Sequence, residues 1–143
     1  MASASYQTRR DEIETYFDRT AADAWAALTS DAPVSRLRRT VRRGRDAMRQ
    51  TLMSWLPEDM TGSTLIDAGC GTGTLAIEAA QRGAEVVAVD LSPTLVNLAR
   101  ERLRDLNQTL DVTFLVGDMR DMDLGSFDYA VAMDSLIHYD VAD

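Results

Sequence analysis

Lysine is missing from this 143-residue chain, and cysteine and histidine occur once each, as Cys70 and His138. A single cysteine excludes an internal disulfide and suits a reducing compartment. No apolar run approaches the ~18 residues that a membrane span needs, and no charged-then-apolar signal segment opens the chain. We therefore expect a cytoplasmic protein with one buried core, which this length allows.

The charge of the chain is acidic and unevenly distributed. Its net charge is −8 at pH 7, and all fifteen basic residues are arginine. Up to residue 60, ten arginines nearly balance nine acidic residues, whereas fourteen acidic residues face five arginines after it. An acidic body repels phosphates, so this distribution argues against nucleic acid as a partner.

The first 60 residues show helical periodicity. Apolar residues at three- and four-residue steps predict one helix over residues 11–28 and a second, stronger one over residues 35–56, which Pro57 ends. The second helix carries arginines on the face opposite its apolar stripe, for which a solvated surface is the default interpretation. These arginines are Arg36, Arg38, Arg39, Arg42, Arg43, Arg45 and Arg49. We predict that residues 1–60 form an N-terminal helical arm and lid.

From residue 61 onward, short apolar strands alternate with helices. The predicted strands are 64–67, 85–90, 112–116 and 127–133, and the predicted helices are 74–82 and 92–106. Alternation at this spacing indicates an α/β fold, a Rossmann-like doubly wound parallel sheet buried on both faces. The chain stops ten residues after the fourth strand, which would leave that strand as an apolar edge. We therefore expect residues 61–143 to form an incomplete sheet in a truncated chain.

The turn after the first strand carries the strongest functional signal. It reads Asp67-Ala68-Gly69-Cys70-Gly71-Thr72-Gly73, and alternating glycines let a backbone turn sharply and approach a ligand closely. NAD and S-adenosylmethionine are the two candidate ligands. The dinucleotide pattern requires glycine or alanine where Thr74 stands, and a carboxylate at Asp67 would repel a pyrophosphate. The same carboxylate attracts a ligand that carries an ammonium and a sulfonium, which favours S-adenosylmethionine.

Acidic residues also end the second and third strands. Asp90 lies 21 residues after Gly69, where an acid can accept hydrogen bonds from both ribose hydroxyls, although a helix cap before Ser92 is the alternative. Leu91 could then lie against the adenine. Asp118 is placed to accept the adenine amino hydrogen while Met119 packs on the ring, the alternative being a solvated turn in an acidic loop.

The fourth strand leads into Met133-Asp134-Ser135-Leu136-Ile137-His138-Tyr139. At the carboxyl end of a parallel strand beside the switch point of the sheet, this segment faces the ligand crevice. We therefore include Met133 in the cofactor site, and His138 is a candidate catalytic residue whose alternative is a packed or surface histidine.

These motifs resemble the class I S-adenosylmethionine-dependent methyltransferases. More specifically, Tyr16-Phe17-Asp18-Arg19-Thr20-Ala21 with Trp25, Val41–Arg45 and Asp134–Tyr139 resemble the family of magnesium protoporphyrin IX O-methyltransferases. The resemblance runs from Tyr16 to the end of the chain, but members of that family continue for roughly another half of this length.

The resemblance implies methyl transfer to a propionate of magnesium protoporphyrin IX, in bacteriochlorophyll or chlorophyll synthesis. On this basis His138 and Tyr16 are expected to orient the propionate, the alternative for Tyr16 being a core residue. We also hypothesise that one or two of Arg42, Arg43 and Arg45 face inward and meet a carboxylate of the cofactor or porphyrin, and we include Arg43 in the cofactor site. Magnesium chelatase and a membrane surface are the partners it suggests, and the sequence shows no metal-ligand cluster. Two alternatives stay open: an O-methyltransferase for a quinone-type hydroxyl, and a truncated fragment without activity.

Overall fold

The computed structural model describes residues 6–12, 15, 19 and 36–133. Residues 6–12 are helical, as are residues 15 and 19. The first helix was expected to begin at Asp11, so this boundary was wrong by at least five residues. Only polar residues separate Tyr6 from Asp11 (Gln7-Thr8-Arg9-Arg10), and without an apolar repeat the periodicity carries no signal there.

Beyond this segment the chain forms three helices and four strands among the described residues. They follow the order α1 (Arg36–Ser54), β1 (Thr64–Ala68), α2 (Thr74–Gln81), β2 (Glu85–Asp90), α3 (Pro93–Asp105), β3 (Val112–Val116) and β4 (Tyr129–Val131). Helix α3 begins where it was predicted to begin. The Ser92 hydroxyl accepts a hydrogen bond from the Leu95 amide at 3.2 Å, and Pro93 occupies the first turn.

All four strands are parallel and lie in the order β3-β2-β1-β4. The chain moves outward from β1 to β3 and then returns to the other side of β1. The switch point therefore lies between β1 and β4, and parallel sheets bind ligands in the crevice at the carboxyl ends of such strands. The predicted Rossmann-like parallel sheet is confirmed, with four strands.

The fourth strand is shorter than predicted, three residues in place of the segment 127–133. At its start, the Asp128 carboxylate accepts a hydrogen bond from the Thr64 amide at 2.9 Å, so a side chain occupies the position of a ladder partner. At its other end, β1 turns into the glycine loop after Ala68 and offers no further edge. Both ends of β4 are therefore limited by what its neighbour does.

The core lies between one face of the sheet and the helices. Leu65, Val86 and Phe114 point into it from three strands, and α2 and α3 cover them. Both crossovers run in the same direction across the sheet, and residues of both helices belong to this one core cluster. The other face was predicted to be buried as well, but Ile66 and Val87 are only half-buried there.

Helix α1 packs against the sheet domain through its second half. Met53 is 1% exposed and Met60 is 0% exposed, and both belong to the same core cluster as the strands. The Arg82 guanidinium donates to the Met53 carbonyl at 2.7 Å and to the Leu56 and Pro57 carbonyls, just after α1, at 3.3 and 3.2 Å. The core therefore extends across the boundary that was predicted at residue 60.

The arginine face of α1 is mostly exposed, with one exception. Arg42, Arg43 and Arg45 are exposed. Arg49 is half-buried and bridges Asp46 at 2.9 Å and Glu78 of α2 at 3.2 Å. Among the arginines of α1 whose side chains the structure describes, the one that turns toward the domain is Arg49, one turn beyond Arg45.

Candidate functional site

The candidate site lies at the carboxyl ends of the strands, around the loop from Gly69 to Gly73. Gly71 and Gly73 both have positive φ angles, 54° and 77°. A Cβ on Gly71 would meet no atom within 4 Å, whereas one on Gly73 would lie 2.7 Å from the Phe114 ring and 3.0 Å from the Ala99 Cβ. Gly71 therefore leaves open space for a ligand, and Gly73 allows the loop to pack closely on the core.

The amides of this loop are largely engaged within the protein. The Gly69 and Cys70 amides donate to the Val89 carbonyl at 2.8 and 3.0 Å, and the Gly73 amide donates to the Cys70 carbonyl at 3.0 Å. The Gly71 amide donates to Asp90 Oδ2 at 2.8 Å. Phosphate-binding loops present such amides to the ligand. A loop that has used four of them is poorly suited to a pyrophosphate.

Two buried carboxylates, Asp67 and Asp90, stand beside the loop at 2% and 8% exposure. Burial, and then the charge of Asp90, raises the pKa of Asp67 from 3.8 to about 7. Among the described residues, no donor hydrogen-bonds to the Asp67 side chain. The site thus holds concentrated negative potential with little internal compensation, which a cationic ligand would relieve.

Asp90 is oriented by the backbone on both sides. Its Oδ2 accepts from the Gly71 amide and its Oδ1 accepts from the Ser92 amide at 2.9 Å. The N-cap of α3 is Ser92, so Asp90 is not the cap residue itself, although one of its two backbone contacts is with the amide of that cap residue. An ionised carboxylate accepts hydrogen bonds of the kind that ribose hydroxyls donate.

Cys70 lies in the loop as a half-buried free thiol. Burial, followed by the charges of Asp67 and Asp90, raises its pKa well above the ordinary value. Because the thiolate is the reactive form, this cysteine is unsuited to nucleophilic chemistry. Its inclusion among the cofactor-binding residues stays a prediction.

Asp118 follows β3 and is buried, at 5% exposure. Its Oδ1 accepts from the Arg120 amide at 3.0 Å, and its Oδ2 accepts from the hydroxyl of Tyr6. Tyr6 is itself 3% exposed, and the Arg120 guanidinium lies 4.1 Å from the centre of its ring. The structure thus excludes a solvated turn for Asp118 and brings a residue of the N-terminal helical segment to the predicted adenine site.

Tyr6 is a residue that sequence reasoning missed. It lies 112 residues from Asp118 along the chain and before the predicted start of the first helix. No motif or periodic pattern marks it, so only the tertiary contact identifies it.

The remaining predicted residues fall into two groups. Leu91, Met119 and Met133 are half-buried at the ends of β2, β3 and β4, as expected for walls of one crevice, and Arg43 is exposed on α1. Tyr16 and His138 lie outside the described residues. Within the described ranges, no group of three histidine, cysteine or acidic side chains is placed to hold a metal ion. No helix of the described part is long and apolar enough to cross a bilayer.

Comparison with known proteins defines the class. The family model described as "Methyltransferase domain" matches residues 65–143, more than half of the chain. The chain therefore belongs to the methyltransferase-domain family.

Among individual proteins, the chain is 54% identical to the magnesium-protoporphyrin O-methyltransferase of Rhodobacter capsulatus, over 98% of this chain and 62% of that protein. The crystal structure of magnesium protoporphyrin IX methyltransferase from Synechocystis PCC 6803 with bound S-adenosylmethionine superposes with a TM-score of 0.80 at 30% identity, over 92% of this chain and 64% of that one. A ubiquinone biosynthesis O-methyltransferase of Xanthomonas oryzae is 39% identical, but over only 56% of this chain and 34% of its own length. The chain thus spans less than two thirds of the length of these relatives.

Proposed function

We propose that this protein binds S-adenosylmethionine and transfers its methyl group to a propionate carboxylate of magnesium protoporphyrin IX. The observation that carries the cofactor assignment is the pair of buried acids beside a loop whose amides are already engaged. Such a site disfavours a phosphate-bearing nucleotide and favours a cation.

The residues of the crevice fit this cofactor in size and charge. Asp67 offers a carboxylate to the ammonium and sulfonium end, and Asp90 is assigned to accept hydrogen bonds from the ribose hydroxyls. The open space beside Gly71 allows close approach to the backbone. S-adenosylmethionine, when bound, supplies an electrophilic methyl group on sulfur.

At the adenine end, Asp118 accepts the amino hydrogen while Leu91 and Met119 contact the ring. Met133 adds a wall at the end of β4. Arg43 is assigned to the carboxylate of the cofactor, because a guanidinium pairs with a carboxylate in a planar, bidentate geometry. Arg43 is exposed on α1, and this pairing requires its side chain to turn toward the crevice.

The acceptor is assigned from chemistry and from the similarity over 98% of the chain. A propionate is already ionised at neutral pH, so this nucleophile needs no strong base. The protein must instead hold oxygen, methyl carbon and sulfur in line and exclude water, and such alignment can lower a barrier by roughly 7–11 kcal/mol. We assign His138 and Tyr16 to orienting the propionate.

A methyl-transfer assay with labelled cofactor and magnesium protoporphyrin tests this function. It should be run on the 143-residue chain and on a fusion that adds the part of the R. capsulatus relative that this chain does not match. Turnover by the fusion alone would show that this chain is a binding fragment that needs more sequence for catalysis. If neither protein turns over and neither binds the cofactor, the proposal is wrong.

The variant His138→Ala distinguishes the alternative acceptor, a quinone-type hydroxyl, from a carboxylate acceptor. A hydroxyl needs an activating base, so its methylation should be abolished. Methylation of a carboxylate should fall only partly, because the histidine then serves orientation alone. The shorter match to the ubiquinone-pathway relative disfavours the hydroxyl acceptor.

We further propose a cytoplasmic location with peripheral membrane contact, and substrate delivery by magnesium chelatase. The exposed Arg42 and Arg45 of α1 supply a positive surface for an anionic bilayer. Sedimentation with vesicles that contain anionic lipid, at low and at high salt, tests the membrane contact. Co-purification with chelatase subunits tests the delivery.

A further inference from the structure

Asp118 is held in place from two directions before any ligand arrives. The Gly117 amide donates to the Asp90 carbonyl at 3.0 Å, which keeps the end of β3 beside the second strand and its acid. One Asp118 oxygen then accepts from the Arg120 amide and the other from the Tyr6 hydroxyl. The carboxylate therefore has little freedom to rotate.

The donor on Oδ2 comes from the N-terminal helical segment, residues 6–12. Tyr6 is buried against the loop, Arg120 covers its ring, and Arg10 lies 3.8 Å from Asp121. Three contacts thus fasten residues 6–10 to residues 118–121. The position of Asp118 depends on this docking.

Each oxygen of an ionised carboxylate accepts about two hydrogen bonds, so Asp118 keeps acceptor capacity after binding Tyr6 and Arg120. Because the protein supplies the donors that hold it, the Asp118 carboxylate offers only acceptor positions to the ligand. A 6-amino purine donates to such a group, whereas a 6-oxo purine brings a carbonyl oxygen that repels it. A fixed acceptor also binds at a lower ordering cost than a free one.

We propose that Tyr6 is a positioning residue for adenine: its hydroxyl fixes Asp118 as an acceptor for the 6-amino group and so contributes to the selection of adenine. This inference rests on the proposed cofactor. It also couples adenine binding to the docking of the N-terminal helical segment.

Binding calorimetry on the 143-residue chain tests the role with two probes, S-adenosylhomocysteine and S-inosylhomocysteine, which carries a carbonyl oxygen at position 6. In Tyr6→Phe the ring under Arg120 stays and the hydroxyl is lost. We expect affinity for the adenosyl probe to fall about five- to tenfold. This is less than the roughly 10- to 150-fold that a hydrogen bond to a charged group is worth, because the bond between Tyr6 and Asp118 also exists in the ligand-free chain. Affinity for the inosyl probe, measured by competition, should change less than about twofold.

Tyr129→Phe is the matched control, because Tyr129 is half-buried at the amino end of β4, away from the crevice. It should leave both affinities unchanged. In an Asp118→Asn background, Tyr6→Phe should cause no further loss, because the two residues act through one contact.

The outcomes separate this inference from the proposed function. If the unmodified chain does not bind S-adenosylhomocysteine, the cofactor assignment fails. If it binds and Tyr6→Phe weakens both probes equally, Tyr6 only supports the fold; if binding becomes tighter, Tyr6 competes with adenine for Asp118. Either of these results, or no change, overturns the positioning role.

Discussion

Replacing Asp67 by asparagine should stabilise the protein and weaken its cofactor binding at the same time. Asn has nearly the same shape but cannot ionise. In the folded chain, burial and the neighbouring charge of Asp90 raise the pKa of Asp67 from 3.8 to about 7. At about 1.4 kcal/mol per pKa unit, the ionised carboxylate costs folding about 4 kcal/mol at pH 8.

The sign of the pH dependence follows from proton binding. Between pH 4 and pH 7 the folded chain keeps a proton on Asp67 that the unfolded chain has lost. The contribution of Asp67 to stability is therefore fully present below pH 4 and is lost as the pH rises to about 7. Asp67→Asn removes this loss, so its advantage should grow from near zero at pH 4 to at most about 4 kcal/mol at pH 8.

Urea unfolding at four or five pH values between 4 and 8 measures this difference. Asp123→Asn is the matched control, since Asp123 is exposed and its replacement should leave the curve parallel to that of the unmodified chain. Parallel curves for Asp67→Asn as well would refute the reasoning, because they would mean that Asp67 titrates alike in both states.

The predicted change in cofactor affinity depends on the same carboxylate, that of Asp67. A cation beside Asp67 should favour its ionised form, so S-adenosylmethionine should release a proton on binding at pH 6.5 and bind more tightly as the pH rises toward 8. Calorimetry in buffers with different ionisation enthalpies measures the proton count. In Asp67→Asn the release should vanish and the affinity should fall. A tighter complex in this variant would contradict the cationic-ligand assignment.

Three further predictions follow from the site and its support. Gly73→Ala should destabilise the chain by about 2–4 kcal/mol in urea unfolding, because the new methyl lies 2.7 Å from Phe114 and the backbone is left-handed. Gly71→Ala should cost only about 1 kcal/mol and mainly weaken cofactor binding, because its Cβ would meet no atom within 4 Å. Cys70 should react with iodoacetamide at pH 8 at least about tenfold more slowly than free cysteine, by mass spectrometry, because its raised pKa leaves little thiolate; ordinary reactivity would argue against a buried loop. Arg82→Met should lower the unfolding free energy by about 1–2 kcal/mol, because the Met53, Leu56 and Pro57 carbonyls lose the guanidinium as a donor. No change would show that water replaces it.

Local sequence patterns predicted most of the fold. The strand and helix limits around Thr64, Glu85 and Ser92 follow from apolar runs and a capping sequence, which depend on neighbours within a few residues. The glycine turn and the acids that end β1, β2 and β3 could be found the same way. The charge of Asp67 was sufficient to favour a cationic ligand over a phosphate.

Tertiary structure decided what these residues experience. The raised pKa of Asp67 depends on burial and on Asp90 in the neighbouring strand, and the engagement of the Gly71 amide requires the same approach. The contact between Tyr6 and Asp118 joins residues 112 positions apart. Periodicity reports the conformation and the buried face of a segment, but it contains no information on which distant side chain will meet it. The pKa of a buried group and long-range hydrogen bonds depend on these tertiary contacts, so they could be determined only from the folded chain.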